Sequence, residues 1–544
     1  ARIYTMAEGP RAPARAEALA IAGSRILAVG ESGAMRGLLR TGGRTVNLGG
    51  RAVIPGLIDA HVHFGWYSLA VHQNRVDLDN VPSKEEALAR VAAAAARTPA
   101  GGWVQGAGWN KNIWAGGQFP TATDLDGVAP AHPVALADKS HHALWVNSRA
   151  LEAAGITAGT PDPKGGEIVR DDRGRPTGML LETAEELVSQ AIPEPGVAEM
   201  MAALRQGIAR AQALGLTGVH DPGHPTVLAA MQALHAAGEL GLRALVMIPG
   251  DDLDAALRLG LRSGLGDEAL RLGGIKIFAD GALGPQTAHM LAPYEGLAGD
   301  GPGGGPEGRP RGLGIPTHTA AELATMVRRA NAAGLAVAIH AIGDAANRAA
   351  LDAIEEAQAG AGAGSSPPLL GVPNRIEHVQ LLHGDDVARL AALGVVASMQ
   401  PIHATSDMEM AGRYWGERCA LAYAWRSVLG AGGALAFGSD CPIETLDPLA
   451  GIHAAVTRRR ADGSPGPEGW IPGQRLSVAE AVQAYTLGAA RASGEERLKG
   501  SLVPGKLADL AVLSRDIFEI EPMEILEARV ETSGHDTGPV PGWL

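Results

Sequence analysis

Apolar runs recur through the middle of the chain, and each is followed by an Ala-rich stretch with helical spacing. The runs are VIPGLIDAHVH (53–63), LTGVHDP (216–222), LRALVMIP (242–249), LGGIKIFAD (272–280), LAVAIHAIGD (335–344), PNRIEHVQLL (373–382), GVVASMQP (394–401) and GALAFGSD (433–440). Near-continuous apolar strands alternating with helices indicate a parallel sheet covered on its faces. Eight such units predict a (β/α)8 TIM barrel of the α/β class over residues 53–498. An open doubly wound sheet would carry a Gly-rich phosphate loop after its first strand, and none is present. The helices have proper starts: Thr319 precedes Glu322 by three residues, a capping box, and Gly334 closes that helix.

Both chain ends follow a different pattern. ARIYTM, EALAIAGSRILAVG and TVNLGGRAVIPG are short strand-like pieces with glycine turns, and GSLVPGKLADLAVL returns to the same style near the other end. Residues 1–52 and 499–544 are therefore expected to form one small β-sandwich domain. The tail EARVETSGHDTGPVPGWL does not read as a closing strand.

A typical barrel needs ~250 residues, so this one carries an insertion. The excess falls after the first barrel strand, at about residues 70–195. That region has its own helix, capped by Ser83 with Glu86 three residues on, and holds Trp103, Trp109, Trp114 and Trp145. An inserted subdomain over the barrel mouth is expected. The stretch GDGPGGGPEGRPRG (299–312) is too glycine-rich to pack and reads as a mobile loop.

Charge and cysteine content narrow the function. The 544 residues carry a formal net charge of −13, which disfavours a phosphate-binding surface. No window is apolar for long enough to span a membrane. Two cysteines, Cys419 and Cys441, exclude a disulfide framework and a Cys-based zinc site. The expected setting is the cytoplasm and the expected partner a small-molecule substrate, with neither nucleic acid nor membrane. A homodimer is left open.

Barrel chemistry collects at the C-terminal ends of the strands. His61 and His63 stand two apart past the first run, so their rings project together. Lys276 lies inside the apolar fourth run, His340 ends the fifth, His378 the sixth and Asp440 the eighth. A single strand-end histidine is more often a satisfied loop residue, and an aspartate in GSD often forms a turn. Four histidines, a lysine and an aspartate at one mouth are a poor coincidence, and imidazole with carboxylate is a hydrolytic metal-binding set.

PGLIDAHVH, KIFADGALG, HAIGD, EHVQ and FGSDCPIETLDPL together resemble the amidohydrolase superfamily, in particular amidohydrolase family 3, the branch with the N-substituted formamide deformylases. The resemblance spans nearly the whole chain. It implies that His61 and His63 bind one metal and that His340 and His378 bind a second. It further implies that a carboxylated Lys276 bridges the two and that Asp440 is both ligand and proton shuttle. One or two divalent ions, zinc first, are the implied cofactors. KSHHALWVNSRAL and GAGWNKNIW are similar to family segments that put His142 near the substrate and Trp109 at the pocket, with Trp145 as packing. Plain core is an equal reading for Trp109. Gln400, ending the seventh run, faces the pocket or is a satisfied strand-end amide.

The expected activity is hydrolysis of a C–N bond other than a peptide bond, in an amide or N-substituted formamide, through attack by a metal hydroxide. Two alternatives compete. A mononuclear metal-dependent deaminase on the same fold resembles the chain in its histidine pair and eighth-strand aspartate. Such enzymes usually carry a glutamate three residues after the fifth-strand histidine, where this chain has Gly343. A non-catalytic amidohydrolase-like binding protein would typically have lost ligands, and here all six positions are filled. Sugar hydrolysis would need paired acids at the strand ends, and none stand out.

Overall fold

The computed structural model describes residues 1–8, 14–73, 75–139, 143–163, 166–284, 286–295, 312–360 and 371–534. His142, all of the glycine-rich 299–312 stretch except its last residue, and the tail from 535 onward lie outside the described residues. The chain forms two compact units, Ala1–Tyr67 with Leu204–Leu544, and Ser68–Ala203.

The larger unit contains the barrel. Its strands are β1 (Leu57–Asp59), β2 (Leu216–Asp221), β3 (Arg243–Pro249), β4 (Leu270–Phe278), β5 (Ala336–Ala341), β6 (Arg375–His378), β7 (Val396–Met399) and β8 (Ala434–Phe437). Each pairs in parallel with the next in chain order. The sheet curls until its ends meet: Ala60 N–H donates to Phe437 O at 3.0 Å and Asp440 N–H to His61 O at 2.7 Å. The eight apolar runs of the sequence are these eight strands. Right-handed βα crossovers bury both strand faces, which is why the runs are apolar without a break. Thr319 caps the helix Ala320–Ala332 in a capping box with Glu322, as the spacing predicts.

The first run is split between two sheets. Ala52–Pro55 belongs to a five-stranded end sheet and β1 to the barrel, with Gly56 between them. A Cβ at Gly56 would stand 2.3 Å from Thr217 Oγ1, so only glycine lets the chain cross here. In the end sheet Val53 pairs with Ile3 on one side and Val512 on the other, which joins the two chain ends over a core of Ile3, Ile26, Val53, Leu502 and Val512.

The tail departs from its sequence reading. Val530–Gly534 does return as a strand and pairs antiparallel with Leu510–Leu513. An edge strand is held mainly by backbone hydrogen bonds, which any residue supplies, so the polar run VETSG shows little of the expected apolar pattern.

The second unit is built on a six-stranded sheet and the helix Lys84–Ala95, whose cap Ser83 accepts from Glu86 N–H. Trp109, Trp114 and Trp145 form its centre, with ring centroids 5.9–6.2 Å apart. Each indole N–H is satisfied by a carbonyl, those of Leu136, Val81 and Thr121 in turn. Among the described residues no helix is long and apolar enough to cross a membrane.

Candidate metal centre

The site begins where the barrel closes. Asp59, at the end of β1, accepts from His61 N–H at 3.1 Å, Ser439 N–H at 2.9 Å and Ser439 Oγ at 2.5 Å. One buried carboxylate thus staples the segment after β1 to the segment after β8. That contact brings His61 and His63 to Asp440: their Nε2 atoms lie 3.4 and 3.3 Å from Asp440 Oδ1. This oxygen is buried and has no hydrogen-bond partner among the described residues.

The remaining strand-end residues surround this pair. The His378 ring lies 4.9 Å from that of His61 and 4.5 Å from that of His340, centroid to centroid. Ligand atoms of His61, His378 and Asp440 all fall within 4.8 Å of one another. Lys276 is buried on β4, its Nζ 5.0 Å from the Phe278 ring centroid. His378 and Asp440 have φ of +73° and +59°. The left-handed region is costly for side chains other than glycine, and such strain gathers at functional sites.

Each of three imidazoles has one nitrogen engaged by an acceptor. His61 Nδ1 meets Glu377 Oε2 at 2.7 Å, His378 Nδ1 meets Gln400 Oε1 at 2.8 Å, and His340 Nε2 meets Gly281 O at 3.1 Å. The engaged nitrogen carries the proton, which leaves the other with its lone pair. His61 and His378 therefore offer Nε2, and His340 offers Nδ1.

Burial sets the charges here. It lowers Lys276 to about 8, with Glu377 and Asp440 resisting, and it lowers His340 to about 3, with Lys276 adding to the effect. His378 is also held well below the usual imidazole range, by burial and then by His340. Burial opposes the charge on Asp440, yet His403, His61 and His63 keep it ionised, well below the usual carboxylate range. Two neutral imidazoles, those of His340 and His378, thus stand beside an anionic oxygen, the state in which such groups bind a cation.

Two of the candidate substrate contacts, each with two readings in the sequence, are buried side chains. Trp109 is 1% exposed and packs in the core of the second unit. Gln400 is buried, with its side-chain oxygen 2.8 Å from His378 Nδ1. His142 lies outside the described residues.

Several buried groups escaped the sequence reading. Glu377 holds His61 and lies 2.6 Å from Arg375 Nε. Burial works against its ionisation, but Arg375 and His61 hold it well below the carboxylate range. His403 Nε2 lies 3.1 Å from Asp440 Oδ2, and its Nδ1 lies 3.7 Å from Glu444 Oε1. Burial disfavours the charge on His403, yet Asp440 and Glu444 push it up to about 10. The neighbouring letters in EHVQ and QPIH were the available signals.

Comparison with known proteins points to the same chemistry. An amidohydrolase family model (Amidohydro_3) matches residues 44–535. The protein LONG AFTER FAR-RED 3 of Arabidopsis thaliana is 35% identical over 518 residues, covering 93% of this chain and 85% of its own. N-substituted formamide deformylase of Arthrobacter pascens is 30% identical over 534 residues, covering 95% and 93%. The crystal structure of an uncharacterized metal-dependent hydrolase from Pyrococcus horikoshii superposes with a TM-score of 0.76 at 27% identity, over 96% of this chain and 97% of that one. A parallel barrel with histidines and an aspartate gathered at its closing seam, matched along nearly its full length, places this chain in the amidohydrolase family, as a metal-dependent hydrolytic enzyme.

Proposed function

We propose that the chain hydrolyses the C–N bond of a neutral, partly apolar amide, with N-substituted formamides as the reference class, at a centre of one or two divalent cations, zinc first. The observation that carries this reading is Asp440 Oδ1, a buried anionic oxygen with no hydrogen-bond partner among the described residues, 3.4 and 3.3 Å from two imidazole nitrogens. Buried polar atoms are nearly always satisfied, and a cation would satisfy this one. The residues fit such an ion: His61, His63 and Asp440 would hold one, and His340 and His378 a second.

A bound dication supplies a water of near-neutral pKa and polarises an amide carbonyl. The protein supplies the proton traffic. Asp440 accepts the proton released as the water adds to the carbonyl carbon and returns it to the leaving nitrogen. Glu377 and Gln400 keep the His61 and His378 rings turned to the centre during the reaction.

A carboxylated Lys276 would supply a further anionic group to hold the cations. An ammonium here would be repelled by dications, and burial already lowers Lys276 to about 8, which eases loss of its proton. The resulting amine adds to CO₂ and loses a proton, which yields an anion with two oxygens. The substrate class draws support from two aromatic faces beside the ligands. Trp66 stacks on His63 at 4.5 Å and is 46% exposed; Phe278 lies 5.0 Å from His340 and is 48% exposed. Exposed hydrocarbon against a polar centre favours a substrate with an apolar substituent.

The deaminase alternative meets a steric objection. A Cβ at Gly343 would stand 1.9 Å from His289 O, so this backbone has no room for a glutamate at that position. The test is metal analysis of the purified protein, followed by assays on amides, formamides, cyclic imides and carbamates. One or two divalent ions per chain and loss of turnover on chelation are expected. A fully active metal-free enzyme would overturn the proposal.

A further inference from the structure

We propose that His403 is a positioning residue for Asp440, gripping one carboxylate oxygen so that the other stays turned to His61 and His63. The inference rests on the metal-hydrolase reading of this centre. It starts from the junction after β7. Pro401 opens the helix Pro401–Trp415, and His403 lies in its first turn, where its N–H donates to Gln400 O at 3.2 Å. Proline at the first helical position fixes the direction of entry. The four residues QPIH then serve two different strands: Gln400 reaches back to His378 on β6, and His403 reaches forward to Asp440 beyond β8.

The two oxygens of Asp440 have different surroundings. Oδ1 faces the Nε2 atoms of His61 and His63, while Oδ2 faces His403 Nε2 at 3.1 Å. The last torsion of an aspartate is soft and roughly two-fold, so the backbone alone does not decide which oxygen points where. A single N–H donor on Oδ2 removes that freedom. The donor is itself held: His403 is 6% exposed, and its other nitrogen faces Glu444. The half-buried Glu444 and the buried His403 thus line up behind the oxygen pair of Asp440, with successive distances of 3.7 and 3.1 Å. The orientation of Asp440 matters more than its mere presence, because a small misplacement of a reacting group costs rate steeply.

The test compares His403→Leu, which fills the space without a donor, with His403→Gln, whose side-chain amide can reach the same oxygen. For His403→Leu we expect kcat to fall about a hundredfold with KM and metal content unchanged; His403→Gln should lie within about tenfold of wild type. Glu444→Gln leaves the histidine in place and should lose only about threefold to tenfold. The second readout needs no substrate. In cobalt-substituted protein, the visible ligand-field bands should shift for His403→Leu and stay near wild type for His403→Gln. Wild-type kcat and unshifted bands in a metal-loaded His403→Leu protein would overturn the proposal. So would loss of metal in step with activity, which would give His403 a role in retaining the metal and not in the aim of Asp440 during turnover. If wild-type protein binds cobalt but hydrolyses no amide tested, the proposed reaction fails while the cobalt spectra still decide the role of His403. If Leu prevents folding, Glu444→Gln carries the test, and wild-type kcat and bands in that variant would refute this alignment.

Discussion

The barrel mouth and the core of the second unit both bury large, partly polar side chains, and they treat those polar atoms in opposite ways. In the second unit Trp109, Trp114 and Trp145 each place the indole N–H on a backbone carbonyl. Nothing is left over, and the cluster has only packing to contribute. At the mouth Asp440 Oδ1 is buried and has no hydrogen-bond partner among the described residues, and three imidazoles each spend only one nitrogen on an acceptor that fixes the ring. A protein tolerates such deficits where a ligand is meant to fill them. Concentration of unusual residues is therefore a weaker sign of function than unspent bonding capacity. The tryptophans drew notice in the sequence, and the structure assigns them to the core.

This contrast can be broken from either side. The largest effect is expected in the satisfied core: Trp109→Ala should cost about 3–5 kcal/mol of stability, read by thermal or denaturant unfolding. Among substrates tested on the folded fraction, relative kcat/KM should not change; a selective loss for bulky amides would return Trp109 to a binding role. Next, Asp440→Asn should lower kcat at least about a hundredfold while substrate binding changes little. Near-normal turnover in a folded, metal-loaded variant would refute the proton-carrying role.

Lys276→Ala should give up one metal of a pair, and a small added carboxylate should restore part of the content, as metal analysis would measure. Full metal content and normal activity would exclude the carbamate. Glu377→Gln comes after these, with metal affinity weaker by about 10–100-fold, the usual cost of losing a partner behind a ligating histidine. Competition with a chromogenic chelator measures it, and unchanged affinity would show that His61 needs no support. The smallest change is expected for Gln400→Leu, a loss of metal affinity by about tenfold or less. A larger loss than for Glu377→Gln would reverse the ranking of the two supports.

The legible part of the site was the part with a local cause. His61 and His63 show their common direction through spacing, and Lys276, His340 and Asp440 show theirs through position at the end of an apolar run. Glu377 was hidden by the same rule. Neighbours on a strand point to opposite faces, so Glu377 and His378 could not both be read as facing the centre. The left-handed backbone at His378 and Val379 breaks that alternation, and no residue type in RIEHV announces it. Gln400 offered two readings of equal weight because its partner stands 22 residues away.

The sequence by itself determined the eight strands, the helix caps, the joining of both chain ends and the residue types available at the mouth. Each of these follows from hydrophobic period, turn chemistry or composition, which act over a few residues. Only the tertiary structure decided which oxygen of Asp440 faces His61 and His63, which nitrogen of His61, His340 and His378 is engaged, and that His403 and Glu377 stand behind Asp440 and His61. Those outcomes depend on contacts such as His61 with Glu377, 316 residues apart, and His403 with Asp440, 37 apart. Barrel closure creates these contacts, because it brings the first and last strands side by side and gathers the ends of all eight around one point.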